Sequence, residues 1–203
     1  MNDTSISGGE EKKEYCDRVF DGLALKDKAV TSKTFSACVF RNCDLTGAAF
    51  RFCKFSGCRF ESCNLSLVKV RGSLFSGTSF RDSKLVGINW TEASWPKIAL
   101  GLPPQFDNCL LNDSTFFGLP LAGARITRCL AKDADFRETD LSKADLTHTD
   151  FSGALFGKTN LKAADLDQAR NYAIRISDNQ VKDARFSMPE AMALLYCLDV
   201  KIV

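Results

Sequence analysis

Residues 38–65 read CVFRNCDLTGAAFRFCKFSGCRFESCNL, with a large apolar side chain at every fifth position: Phe40, Leu45, Phe50, Phe55, Phe60 and Leu65. A period of five is neither the 3.6 of a helix nor the 2.0 of a strand. The count extends without a miss back through Phe35, Val30 and Leu25 to Phe20. It runs forward through Val70, Phe75, Phe80, Leu85, Trp90 and Trp95 to Leu100. Self-similarity at a fixed short period predicts a solenoid.

A longer period lies over the first. Leu25, Leu45, Leu65 and Leu85 form one series; Phe20, Phe40, Phe60 and Phe80 another; Phe35, Phe55, Phe75 and Trp95 a third. Residues twenty apart match better than residues five apart, which predicts a coil of four short sides with like side chains stacked on successive turns. Stacking identical shapes fills an interior densely, as a core requires. Two places before each large residue stands a small one, as at Cys38, Cys43, Ala48, Cys53, Cys58 and Cys63, because two bulky groups per side cannot both point inward. Glycine follows two places after the large residue at Gly47, Gly57, Gly77 and Gly87, where each side must turn a corner. This grammar resembles that of the pentapeptide-repeat proteins. The resemblance implies an all-β solenoid, a right-handed quadrilateral β-helix.

Within the 203 residues, 1–14 (MNDTSISGGEEKKE) are polar and read as a flexible tail. The coil is assigned to 15–186. Arg18, Lys28 and Lys33 occupy small inward positions, so Cys16–Lys33 is expected to cap the coil rather than continue it. The ladder breaks at 101–105 (GLPPQ), where prolines remove strand donors, and Phe106 restarts the count with a slip of one. A second ladder then runs Phe106, Leu111, Phe116, Leu121, Ile126, Ala131, Phe136, Leu141, Leu146, Phe151, Phe156, Leu161, Leu166, Asn171, Ile176, Val181, Phe186, with Asn171 a misfit at a bulge or turn. Together the ladders make roughly eight turns, about 40 Å of rod at ~4.8 Å per turn.

Residues 187–203 change grammar. Ser187 is a plausible helix N-cap, with Pro189 in the first turn and Glu190 three residues on. Met188, Ala191, Met192, Leu195 and Leu198 share a helical face, and Val200-Lys201-Ile202-Val203 reads as a short strand. A solenoid must cover its apolar end. The helix can do this within one chain, and the strand can pair with a second copy.

Seven cysteines, Cys38, Cys43, Cys53, Cys58, Cys63, Cys109 and Cys129, sit at the small inward position and are expected to pack as free thiols, with neither disulfide nor metal. Their spacing lacks the clustered pairs of a zinc site, and the chain holds one histidine. That residue, His148, falls at a corner. With no Walker A loop, dinucleotide glycine loop or HExxH motif, the sequence points away from an enzyme and implies no cofactor. No positively charged start leads into an apolar run, and no stretch approaches eighteen apolar residues, so a cytoplasmic protein without a membrane span is expected.

Charge is uneven although the net is only +2. Residues 38–85 carry eight basic side chains (Arg41, Arg51, Lys54, Arg59, Lys69, Arg71, Arg81, Lys84) against three acidic ones. Residues 133–167 carry eight acidic against four basic. Asp135, Asp140, Asp145 and Asp150 each precede the large residue of consecutive repeats, where the side chain is expected to face solvent. Asp145 and Asp165 are expected to stack on one side, and two carboxylates ~5 Å apart repel by about 1–3 kcal/mol.

The segments CNLSLVKV (63–70), NWTEASWP (89–96), NDSTFFGLPLAG (112–123) and RFSMPEAMALLYCLDVKI (185–202) look like those of the albicidin-resistance pentapeptide proteins, near the quinolone-resistance group. That resemblance implies a homodimer, joined through the C-terminal ends at Met188, Met192, Leu195, Leu198, Val200 and Ile202. It implies a DNA-mimicking rod that binds DNA gyrase, with topoisomerase IV a second candidate, and protects it from poisons. Asp135, Asp140, Asp145, Asp150 and Asp165 are the candidate gyrase-facing residues, and no direct contact with nucleic acid is then expected. Two alternatives stand beside it: an interaction rod for some other protein, and polyanion binding through the basic N-terminal half.

Overall fold

The protein's structure, a computed structural model, describes residues 13–95 and 102–196. It is a right-handed quadrilateral β-helix. Every pairing is parallel, and before the break each strand pairs with the one twenty residues on: Phe20 with Phe40, Phe40 with Phe60, Phe60 with Phe80. On this side the strands from Val19–Asp21 to Arg125–Thr127 form a six-stranded sheet.

The predicted columns form the core. Phe20, Phe40, Phe60, Phe80 and Phe106 stack with nearly parallel rings, their centroids 4.5–5.2 Å apart. That step equals the spacing of adjacent strands, so the backbone ladder itself sets the ring stacking. The neighbouring column of Tyr15, Phe35, Phe55 and Phe75 meets it edge to face, as between Phe35 and Phe40 at 5.5 Å and 69°. Edge-to-face packing places positive ring edges against negative faces. At the corners the backbone turns left-handed. Gly47, Gly57, Gly77 and Gly87 all have positive φ. At Gly72 the glycine is also needed for space, since a Cβ there would strike the ring of Phe52 from the turn before.

The small inward residue has a second task. In eight sides of the first ladder its thiol or hydroxyl donates to the carbonyl of the large residue 23 positions earlier: Cys38 to Tyr15, Cys43 to Phe20, Cys53 to Val30, Cys58 to Phe35, Cys63 to Phe40, Ser73 to Phe50, Thr78 to Phe55 and Ser83 to Phe60. These carbonyls lie in extended sides and lack a local donor. Where the side closes into a tight turn, the amide three residues on supplies the bond, as from Ala48 to Leu45 and Val68 to Leu65. The inward residue one turn above is then apolar: Val68 over Leu45, Ile88 over Leu65. A buried carbonyl must be satisfied one way or the other. Burial pushes the thiols of Cys38, Cys53 and Cys58 up, the last to about 12, so they stay protonated and able to donate.

Four expectations need correction. The first turn is not a separate cap: Glu14–Cys16 pairs in register with Thr34–Ser36, and Tyr15 stacks on Phe35. Arg18 and Lys33 are half-buried at their inward positions. The break is displaced from 101–105. Gly77 donates to the Leu102 carbonyl, Pro104 is buried, and Gln105 opens a strand paired with Ser79. Phe106 therefore stacks on Phe80, a 26-residue turn that carries six extra residues rather than one. Ser94 still bonds Ser73 as an ordinary ladder residue, so the insertion falls between Trp95 and Leu102. Third, Ile176 does not hold its core place: Asn171, at the turn expected of it, takes positive φ and donates its side-chain amide to Asp150, and the ladder is interrupted until Gln180 pairs with Asn160 in the twenty-residue register. Ile174 and Tyr172 are buried where Ile176 was expected, and Ile176 is half-exposed. Finally, Ser187 does not cap the helix; its hydroxyl accepts from the Gln168 amide. A 3-10 turn, Glu190–Met192, leads into a single helical turn, Ala193–Tyr196. Leu194 packs on the core end, leaving Met188 and Leu195 exposed. Leu100, Leu198, Val200 and Ile202, with the tail 1–12, lie outside the described residues. Among the described residues, no helix is long and apolar enough to cross a membrane.

Candidate partner-binding surface

A coil of four sides puts consecutive repeats on consecutive sides. Asp135, Asp140, Asp145 and Asp150 therefore each occupy a different side, and Asp165 returns to the side of Asp145, with which it is in register. The aspartates form a belt around one turn rather than a stripe along one face.

Nor do they point freely into solvent, as the sequence reading held. All five are half-buried, and each accepts a hydrogen bond from the backbone amide two residues on: Arg137, Ser142, Thr147, Ser152 and Asp167 respectively. This is the Asx turn, in which a short side chain stands in for a backbone acceptor. Most also hold a side-chain partner. Asp135 takes Arg137 at 2.7 Å, Asp150 takes Arg170 at 3.0 Å and Asn171, and Asp140 takes the Asn160 amide. In one column Arg125, Asp145, Asp165 and Arg185 follow one another, so the expected Asp145–Asp165 repulsion is flanked by guanidiniums at 3.5 and 2.8 Å. The Arg137 side chain holds the Asp135 carboxyl below the ordinary carboxylate range. Burial pushes Asp150 up, but hydrogen bonds from Ser152 and Asn171 and the nearby Arg170 outweigh it, and the net shift is downward. The more exposed acids of the belt are Asp133 and Glu138, at corners the sequence reading did not single out.

His148 is exposed at a corner with positive φ, beside a shallow hollow of about 340 Å³ shared with Arg170 and Glu190.

A model of the pentapeptide repeat region matches residues 33–103, and a model of eight-copy pentapeptide repeats matches 121–157 and 134–170. The chain is a pentapeptide-repeat protein. Among solved structures, a trypsin-treated form of QnrB1, described as a plasmid-mediated fluoroquinolone resistance protein, superposes with a TM-score of 0.66 at 19% identity, covering 92% of this chain and 100% of that one. A second trypsin-treated form of QnrB1 gives a TM-score of 0.53 at 17% identity, covering 94% and 97%. At these identities the likeness establishes the shared fold. No curated protein sequence matches this pentapeptide-repeat chain significantly.

Proposed function

We propose that this pentapeptide-repeat protein binds a bacterial type II topoisomerase, DNA gyrase first, and protects it from gyrase-poisoning antibiotics of the fluoroquinolone or albicidin kind. The observation that carries this reading is a parallel coil, stacked turn on turn, of the same fold along the full length of a protein described as a plasmid-mediated fluoroquinolone resistance protein. The non-repeat segments 63–70, 89–96, 112–123 and 185–202 support the same group. Exposed Met188 and Leu195 beside the closed core end suit a second copy, so the working form is a cytoplasmic homodimer with both acidic belts near its centre. The segment 133–167, with a net charge of −4, faces the basic surface with which a topoisomerase holds DNA, and it sets encounter rate and specificity more than final affinity. No catalytic step is assigned to the rod.

The test is DNA supercoiling by purified gyrase with a fluoroquinolone or albicidin present. Adding the protein at stoichiometric concentration should restore supercoiling. If the poisoned reaction is unchanged at a tenfold excess of protein, the proposal fails.

A further inference from the structure

The basic half is not absorbed by that function, and one side of it is built for something else. The outward column that precedes the large residues of the six-stranded side reads Val19, Val39, Arg59, Ser79, Gln105, Arg125, Asp145, Asp165, each in register with the next. Two uncharged polar residues thus lie between two arginines, beside a notch of about 200 Å³ in the sheet surface. Arg81 and Arg128 close its far edge. Arg59 and Arg125 stand three rungs apart, about 14 Å at the usual strand spacing.

The arginines are under-partnered. Arg128 bonds Asp107 directly, but Arg59, Arg81 and Arg125 reach carboxylates only at 3.6, 3.6 and 3.5 Å, and among the described residues none of the three makes a side-chain hydrogen bond. Glu61, by contrast, is taken up at 2.7 Å by Arg41, outside the notch. Three such guanidiniums therefore line the hollow together with Ser79 and Gln105, beside the Glu61 and Asp107 carboxylates that Arg41 and Arg128 hold. Guanidinium forks match the oxygens of phosphate groups bidentately.

We infer that this notch binds a small phosphate ligand carrying two linked phosphate groups, as in pyrophosphate or a nucleoside diphosphate. One phosphate would sit between Arg59 and Arg81 and the other between Arg81 and Arg125. The column argues against the backbone of a nucleic acid. It turns apolar at Val39 and acidic at Asp145, so the basic track ends after about three rungs, whereas a duplex presents a continuous line of phosphates. The site is separate from the topoisomerase reading and stands or falls without it.

The experiment is titration calorimetry of the full chain with sodium pyrophosphate at about 50 mM salt. One site per chain is expected, with inorganic phosphate at least tenfold weaker because it spans only one pair of forks. Arg81→Gln and Arg125→Gln should each weaken pyrophosphate at least tenfold, while Lys54→Gln, on another side, leaves it unchanged. In the wild type, pyrophosphate should also raise the thermal midpoint above that in sodium chloride of equal ionic strength, a readout that needs no variant. Absence of heat and of any midpoint shift up to millimolar pyrophosphate would overturn the inference. So would affinity that survives the Arg81→Gln/Arg125→Gln pair. A short DNA duplex that binds more tightly than pyrophosphate, and is lost with the same arginines, would reassign the notch to nucleic acid.

Discussion

The two halves of the coil follow one repeat but meet its backbone demands differently. Before the insertion most sides are extended strands, and their central carbonyls are bonded by Cys, Ser or Thr from the next turn. After it most sides close into tight turns, the amide three residues on takes the carbonyl, and alanine fills the inward position, as at Ala124, Ala134, Ala144 and Ala164. Thr149 marks one of the extended strands that remain, Arg125–Thr127: its hydroxyl donates to Ile126 at 2.7 Å and accepts from the Cys129 amide. In most sides the inward residue thus reports the backbone of the turn beneath it, while Thr139 and Thr159 add a hydroxyl to carbonyls already bonded by a local amide. Charge divides the same way, with cations along the first half and a belt of carboxylates around the second.

The largest expected effect tests whether both halves share one aromatic spine. Phe55 is fully buried between Phe35 and Phe75 and touches three more rings, while Phe136 stacks between Phe116 and Phe156. Phe55→Ala and Phe136→Ala should each cost about 3–5 kcal/mol in urea unfolding, the former more. Near-neutral values in either half would break the common register.

A smaller difference sharpens the division between extended and turned sides. Thr149→Val leaves a buried carbonyl and amide without partners and should cost about 1–3 kcal/mol. Thr139→Val removes a donor from Phe116, whose carbonyl also takes the Leu119 amide, and should cost clearly less. Equal losses would show that the local turn bond does not substitute for the side chain.

The smallest effect is pH dependence. The folded-state pKa values of Asp135 and Asp150 are depressed, so their stabilising contribution is present above the unfolded value of about 3.9 and is lost as pH falls through the folded values. The urea midpoint should drop below about pH 4, and Asp150→Asn should flatten that drop. A midpoint independent of pH between about 5 and 2 would contradict the pairing of these carboxylates.

Much of this was legible in the sequence because a repeat writes its geometry many times over. The phenylalanine columns, the buried cysteines and the glycine corners follow from the spacings of five and twenty. The size of the insertion was not legible, because Leu100 continues the count of five in the sequence, whereas the residue in register with Phe80 is Phe106. At 171–176 the pattern offered Ile176, but Asn171 holds Asp150 and turns the chain early, so Ile174 takes the core place. The environment of the aspartates carried an unread signal. Asp-Leu-Thr, Asp-Leu-Ser and Asp-Phe-Ser at 145–147, 140–142 and 150–152 spell Asx turns. Reading charges at spacing twenty would likewise have paired Arg125 with Asp145 and Arg170 with Asp150. Stacked turns make distant residues neighbours, and a pass along the chain overlooks that.

The claim that the acidic half faces the topoisomerase is tested most directly by the variant Asp140→Asn, Asp145→Asn, Asp150→Asn and Asp165→Asn. Asparagine keeps the oxygen that each Asx turn uses, so the coil stays folded while the belt loses its charge. Protection of gyrase supercoiling against a fluoroquinolone, measured at about 50 and 200 mM salt, is the readout. The account predicts that the variant needs at least fivefold more protein for equal protection and that its protection no longer depends on salt. Undiminished protection at both salt concentrations would contradict it.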